Sequence, residues 1–172
     1  MRFRGTVFRA HNPRWAFSPL SGDGAARYGG RFNPAGLPAL YTSLRMETAW
    51  LEAQQGFAFK VQPLTICAYE IDCDDVADLT DQETLAGFGL TPAALSCAWE
   101  DIASRGKTPP SWALAKQLIA QGSAAIIVPS FAPGAIERDR NLVFYKWSDT
   151  LPHQVRVIDD EMRLPKNPAS WM

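Results

Sequence analysis

The sequence is poor in the residues that build metal sites and disulfide frameworks. Its 172 residues include three cysteines, Cys67, Cys73 and Cys97, and two histidines, His11 and His153. An odd cysteine count without C-x-x-C spacing argues against a zinc site and against a bridged scaffold. Free cysteines of this kind are expected to pack as small hydrophobes in a reducing compartment. An excess of one charge is missing too. Seventeen Lys and Arg face eighteen Asp and Glu, for a net charge of -1, so no basic face is expected for gripping nucleic acid or an anionic membrane. Long apolar runs are also lacking. Met1-Arg2-Phe3-Arg4-Gly5 does not read as a signal peptide, and no stretch is apolar for long enough to span a bilayer. A cytosolic (cytoplasmic) protein is expected.

What is present is material for a core. At 47% hydrophobic over 172 residues, the chain can bury one core and is short for two, so a single domain over 1–172 is expected, with a tail from about 165 loosely ordered. Thr6 to Ala10 reads as a short strand that ends near Arg9. His11 to Gly30 is rich in Pro, Gly and Ser and reads as a long ordered loop with a helical hint at Ala25-Ala26-Arg27. Leu37 to Thr42 reads as a strand. Ser43 is the expected N-cap of a helix reaching about Phe57, with Met46, Ala49, Trp50, Ala53 and Phe57 as its core face and Glu52 at the edge of that stripe.

Leu64 to Ile71 has β character. The acidic run Asp72, Asp74, Asp75, Asp78 and Asp81 lacks the spacing of a calcium loop and suits turns and helix caps. Thr91-Pro92 predicts a helix to about Arg105, and Ser111 to Gln121 another that stops at Gly122. Ser123 to Val128 is the most strand-like run and is expected to be central. Asn141 to Trp147 and Gln154 to Ile158 alternate as two further strands, with a turn at Pro152. Strands at both ends with helices between them predict an α+β domain.

Three motifs in order carry a resemblance: Leu20 through Asn33, containing Gly29-Gly30-Arg31-Phe32-Asn33; then Leu40-Tyr41-Thr42-Ser43 followed by Glu52; then Val128-Pro129-Ser130. Together they resemble a RES domain, over nearly the whole chain. The arginine, glutamate and serine of that family match Arg31, Glu52 and Ser130, and Phe32 stands where many members have tryptophan. The resemblance implies a fold similar to the bacterial ADP-ribosyltransferase toxins, a central split β-sheet with flanking helices. It also implies the toxin of a toxin–antitoxin pair, with NAD as substrate and no metal. ParT-like members, similar in length and motif wording, pass ADP-ribose to a host protein such as phosphoribosyl pyrophosphate synthetase, an enzyme of nucleotide biosynthesis. Other members hydrolyse or phosphorolyse NAD. The implied partner is an antitoxin with a helix-turn-helix region, which would account for the missing DNA-binding face here.

The chemistry can be derived beside the resemblance. Breaking the nicotinamide–ribose bond passes through an oxocarbenium-like state, so a site must hold the pyrophosphate, orient the nicotinamide and oppose positive charge at the sugar. Arginine suits phosphate because its planar fork stays charged; Arg31, fixed by two glycines, and Arg9 are the candidates. Tyr41 offers a ring or a hydroxyl to the nicotinamide. Glu52 would accept from a ribose hydroxyl and stabilise the developing charge. Ser130 and Asn141 are further candidates for the nicotinamide-ribose side. Glu47, Glu100 and Asp101 read as solvated. Degradation of NAD without a protein acceptor, and a non-catalytic nucleotide- or partner-binding module, are the competing readings.

Overall fold

The computed structural model describes residues 1–54 and 62–169. Strand β1 (Phe3–His11) pairs antiparallel along its whole length with β3 (Thr65–Cys73), from Phe3 opposite Cys73 to His11 opposite Thr65. Beyond β3 lies β7 (His153–Val157), also antiparallel. On its other side β1 meets β2 (Leu40–Ser43) through one pair, Phe8 opposite Ser43. From β2 the sheet continues through β6 (Arg140–Phe144) and β5 (Ala125–Pro129) to β4 (Val76–Asp78), which runs parallel to β5. The order is β4-β5-β6-β2-β1-β3-β7. One mixed sheet is therefore nearly divided between β2 and β1, which is the split sheet of the expected α+β fold. Where two strands share so short a ladder, their outer ends splay and leave room for a cleft.

The period of two along each strand sorts the core into two layers. Ile126, Val128 and Val143 pack with Leu85, Leu95, Leu114 and Leu118. These leucines come from α3 (Gln82–Gly87), α4 (Pro92–Leu95) and α6 (Pro110–Ala120). The alternate residues Ala125, Ile127, Leu142 and Phe144 join Val7, Leu40, Tyr69, Ile71 and Val155 on the opposite face, with Leu20, Trp147 and Leu164 packed against them. Burying a side chain of this size contributes about 1.5–3 kcal/mol. Among the described residues no helix is long and apolar enough to cross a membrane.

Several local expectations are corrected by packing. The Ser123 to Val128 run forms β5, which sits next to the edge strand β4, and not at the centre of the sheet. It reads as central because Ala125 to Val128 are buried on both faces. The helix expected from Thr91 to Arg105 is interrupted into α4 and α5 (Trp99–Ser104). At the break the carbonyls of Leu95 and Cys97 turn to Arg31, which helix propensity along the sequence does not register. The helical hint in the long loop is a short helix, α1 (Asp23–Tyr28), preceded by a 3-10 turn at Pro13–Trp15.

Ser43 belongs to β2 and does not cap the helix, which begins at Met46 (α2, Met46–Gln54). The core face of α2 is also rotated from the expected stripe. Ala49 is buried, but Met46 is 50% and Trp50 38% exposed. Thr48 is drawn inward instead, its hydroxyl donating to Asp139 at 2.6 Å, so Thr48, Ala49, Glu52 and Ala53 turn toward the protein. Phe57, the remaining member of that stripe, lies outside the described residues. The acidic run serves as expected: Asp72 holds Arg2 and Arg4, Asp78 closes a turn on Thr80, and Asp81 caps α3 by accepting from the Thr84 N–H.

Candidate functional site

The glycine pair explains how Arg31 is placed. Gly29 sits at φ +74°, left-handed backbone that ends α1 at low cost for a glycine. At Gly30 a Cβ would lie 2.6 Å from the Tyr41 hydroxyl and 2.7 Å from Asn33 Oδ1, so nothing larger fits without displacing both. Gly30 and Asn33 exchange backbone hydrogen bonds at 2.9 and 3.3 Å, which closes a tight turn with Arg31 and Phe32 at its tip. Phe32 is buried beneath the turn. The Arg31 guanidinium donates from Nη1 to Cys97 O at 2.7 Å and Leu95 O at 3.4 Å, and lies 4.7 Å from the centre of the Phe131 ring. Its Nε and Nη2 donate to no described residue, so part of the fork is held and part faces the cavity that Arg31 lines.

Asn33 is the hub of the loop. Fully buried, its amide donates to the carbonyls of Ala25 (2.9 Å), Leu37 (2.9 Å) and Pro34 (3.2 Å), while its Oδ1 accepts from the Tyr41 hydroxyl at 2.7 Å. The same hydroxyl accepts the Phe32 N–H at 3.0 Å. Burial raises the Tyr41 pKa well above that of a free phenol, against the lowering effects of the Phe32 N–H and Arg31, with nearby Glu52 adding to the rise. Tyr41 is thus a neutral hydrogen-bonding residue at any working pH.

Glu52 is held from the sheet side. Its Oε1 accepts from Ser130 Oγ at 2.6 Å and from Asn141 Nδ2 at 2.5 Å, and Asn141 Oδ1 accepts from Ser43 Oγ at 2.7 Å. Four side chains from α2, β2, β6 and the segment after β5 therefore converge. A second bond set fixes α2 against that segment: Asp139, 4% exposed, accepts from Thr48, Arg45 and the Ile136 N–H. Those donors, the Ile136 N–H foremost, lower the Asp139 pKa.

Arg9 stands on β1 opposite Cys67 and donates from Nη1 to Ser21 O (2.9 Å) and Pro19 O (3.3 Å). Burial lowers its pKa. Beside it His11 bonds the Tyr69 hydroxyl at 2.9 Å, and Tyr69 donates to Pro19 O at 2.8 Å. Burial, reinforced by Arg9, pushes the His11 pKa down to about 4. Arg9 thus braces the loop leading into α1 as well as facing the cleft.

Arg9, Arg31, Tyr41, Glu52 and Asn141 all line one cavity of about 470 Å³ at the β1–β2 split, and Ser130 reaches it through Glu52. That volume falls within the roughly 300–1,000 Å³ usual for small-molecule and cofactor sites. Tyr28, Trp99, Glu100 and Phe131 also line it. The sequence alone marks none of Asn33, Ser43, Tyr28, Trp99 and Phe131 as a site residue, and Glu100 reads as solvated. Asn33 and Ser43 did stand inside the motifs; Trp99 carried no local signal. Among the described residues no cluster of three or more His, Cys, Asp or Glu is placed to hold a metal ion.

Fold and cavity together define an α+β domain with a cleft of about 470 Å³ at a split sheet. The family profile described as RES domain matches residues 6–167, and the chain belongs to that family. Its fold is similar to that of a chain in the crystal structure of the M. tuberculosis MbcT-MbcA toxin-antitoxin complex, with a TM-score of 0.64 and 22% identity over 99% of this chain and 88% of that one. No curated protein sequence matches significantly.

Proposed function

We propose that this chain is the toxin of a toxin–antitoxin pair, a single RES domain that cleaves NAD at the nicotinamide–ribose bond and passes ADP-ribose to a protein. Family membership and the likeness to a chain of a toxin–antitoxin complex support the toxin reading. The observation that carries the chemistry is the oriented carboxylate: Glu52, fixed by Ser130 and Asn141, shares one cavity with Arg31 and Tyr41.

In this reading Arg31, with Arg9, faces the pyrophosphate and Tyr41 keeps the arginine turn in place beside the nicotinamide. The bond from ribose C1′ to the nicotinamide nitrogen breaks with its electron pair leaving on nicotinamide. The oxocarbenium ion left at C1′ is opposed by Glu52, which also accepts a ribose hydroxyl. A side chain of the acceptor protein then adds at C1′ and loses its proton. Preorganisation favours this, because Glu52 is already held where charge develops.

Incubation with labelled NAD and a cell extract tests the assignment. The expected result is label on a discrete protein band, lost in Glu52→Gln. Loss of NAD with free ADP-ribose or its phosphate and no labelled protein would replace transfer with degradation. Intact NAD under all conditions would leave only a binding module. A helix-turn-helix antitoxin from the same pair should neutralise the growth arrest caused by expression in cells.

A further inference from the structure

The proposed reaction uses the end of the cavity around Glu52, and a dinucleotide has a second ring to place. We infer that Tyr28 and Trp99 form a platform for the purine base at the end of the substrate remote from the bond that breaks; this rests on the dinucleotide reading above. The cavity offers six aromatic rings, Phe8, Tyr28, Phe32, Tyr41, Trp99 and Phe131. Four are already committed. Phe32 is buried, Tyr41 is tied by its hydroxyl into the arginine turn, and the Phe131 ring is covered by the Arg31 guanidinium. Phe8 lies opposite Ser43 and so belongs to the Glu52 end, through the Ser43–Asn141–Glu52 chain of hydrogen bonds.

Tyr28 and Trp99 remain: the Arg27 guanidinium stands 5.7 Å from the Tyr28 ring centre, farther than Arg31 from Phe131, and leaves Tyr28 largely exposed. Tyr28 closes α1 and is 76% exposed, an unusual position for so large a ring at the rim of a cleft. Trp99 opens α5 and is backed by Trp112, whose ring centre is 6.1 Å away at 41°. Trp112 is itself fixed, its Nε1 donating to Gly30 O at 2.7 Å. Trp99 is thus a stiff plate tied to the arginine turn, and Tyr28 stands two residues before Gly30, at the end of the helix that leads into that turn. The spatial order follows from bonds: Glu52, linked through Asn141 to Ser43; then Tyr41, two residues back along β2, whose hydroxyl accepts the Phe32 N–H; then Arg31, bonded to Cys97 O; then Trp99, two residues on. Ribose, pyrophosphate and purine occur in that order along a dinucleotide. Stacking on aromatic side chains suits a purine because it needs only a flat face.

Steady-state kinetics of the full chain with NAD and with nicotinamide mononucleotide, which lacks the adenylate half, test the platform. Tyr28→Ala, at an exposed position, should raise KM for NAD about tenfold with kcat unchanged and leave the mononucleotide unaffected. Trp99→Leu should do the same, with Trp99→Phe recovering most of the loss. Equal KM for NAD in wild type and Tyr28→Ala, or an equal rise for both substrates, would overturn the inference. Calorimetric titration with AMP separates this from the reaction itself. Wild type binding AMP about tenfold tighter than Tyr28→Ala supports the platform even where no NAD is consumed, and equal AMP affinities refute it even where NAD is consumed.

Discussion

The two walls of the cavity are built by different means. The Glu52 wall rests on β2, β5, β6 and α2, and its polar side chains bond mainly to one another: Ser43 to Asn141, and Asn141 and Ser130 to Glu52. The Arg31 wall is a loop held mainly through backbone carbonyls: Asn33 donates to three and Arg31 to two, and Trp112 of α6 donates to one of the loop's own. Side chains bonded to side chains hold a reacting group to a tight geometry, and an exchange that keeps those bonds costs the fold little. Side chains bonded to backbone create the loop itself. The first wall should therefore fail in chemistry and the second in stability.

The largest separation is expected at Glu52→Gln. Gln keeps the oxygen that accepts from Ser130 and Asn141 but loses the charge, so NAD consumption should fall about 100- to 1,000-fold with the melting temperature unchanged. Asn33→Ala should do the reverse in kind. It strands the buried partners of Asn33, at a cost of about 3 kcal/mol, which lowers Tm by roughly 10 °C in thermal unfolding. If Asn33→Ala kept its Tm while Glu52→Gln lost stability, the contrast between the walls would be wrong.

Asn141→Ala, removing one of the donors to Glu52, should cost about 10- to 100-fold in kcat, and Ser43→Ala, one bond further out, about tenfold or less.

A smaller effect sharpens the loop side. His11 titrates near 4 when folded and near 6.5 when unfolded, so between those values the unfolded chain binds more protons. Stability should thus rise with pH across that window, by up to about 1.4 kcal/mol per pH unit, and be lost on acidification. Denaturant titrations of wild type and His11→Gln at pH 5 and pH 7 measure the difference in slope. The least effect is expected outside both walls: Met46→Ser, at an exposed position on α2, should shift stability by no more than about 0.5 kcal/mol.

Much of the sheet is legible in the sequence because alternation survives in short strands, and the residues that gather at the cavity stand out because they lie in compact motifs: Arg31 behind two glycines, Tyr41 ending an apolar run, Ser130 after a strand. What escaped reading depends on contacts between distant segments. Thr48 turns inward only because Asp139 waits for it. The helix after Pro92 breaks where Arg31 takes its carbonyls. Asn33 is a hub because Ala25, Leu37 and Tyr41 surround it, and no pattern along the chain gives that count of partners. Ser43 reads as a cap because serine is a preferred residue just before a helix, whereas its hydroxyl turns to Asn141 on the neighbouring strand.

The most direct test of the central claim follows NAD by proton NMR in the presence of the purified wild-type protein and a cell extract that supplies the acceptor, with Glu52→Gln in the same extract as the blank. Free nicotinamide should appear mole for mole as NAD disappears, at a rate proportional to protein. NAD that stays intact while its resonances broaden on binding would show that the cavity holds the dinucleotide without cleaving it, and would contradict the account.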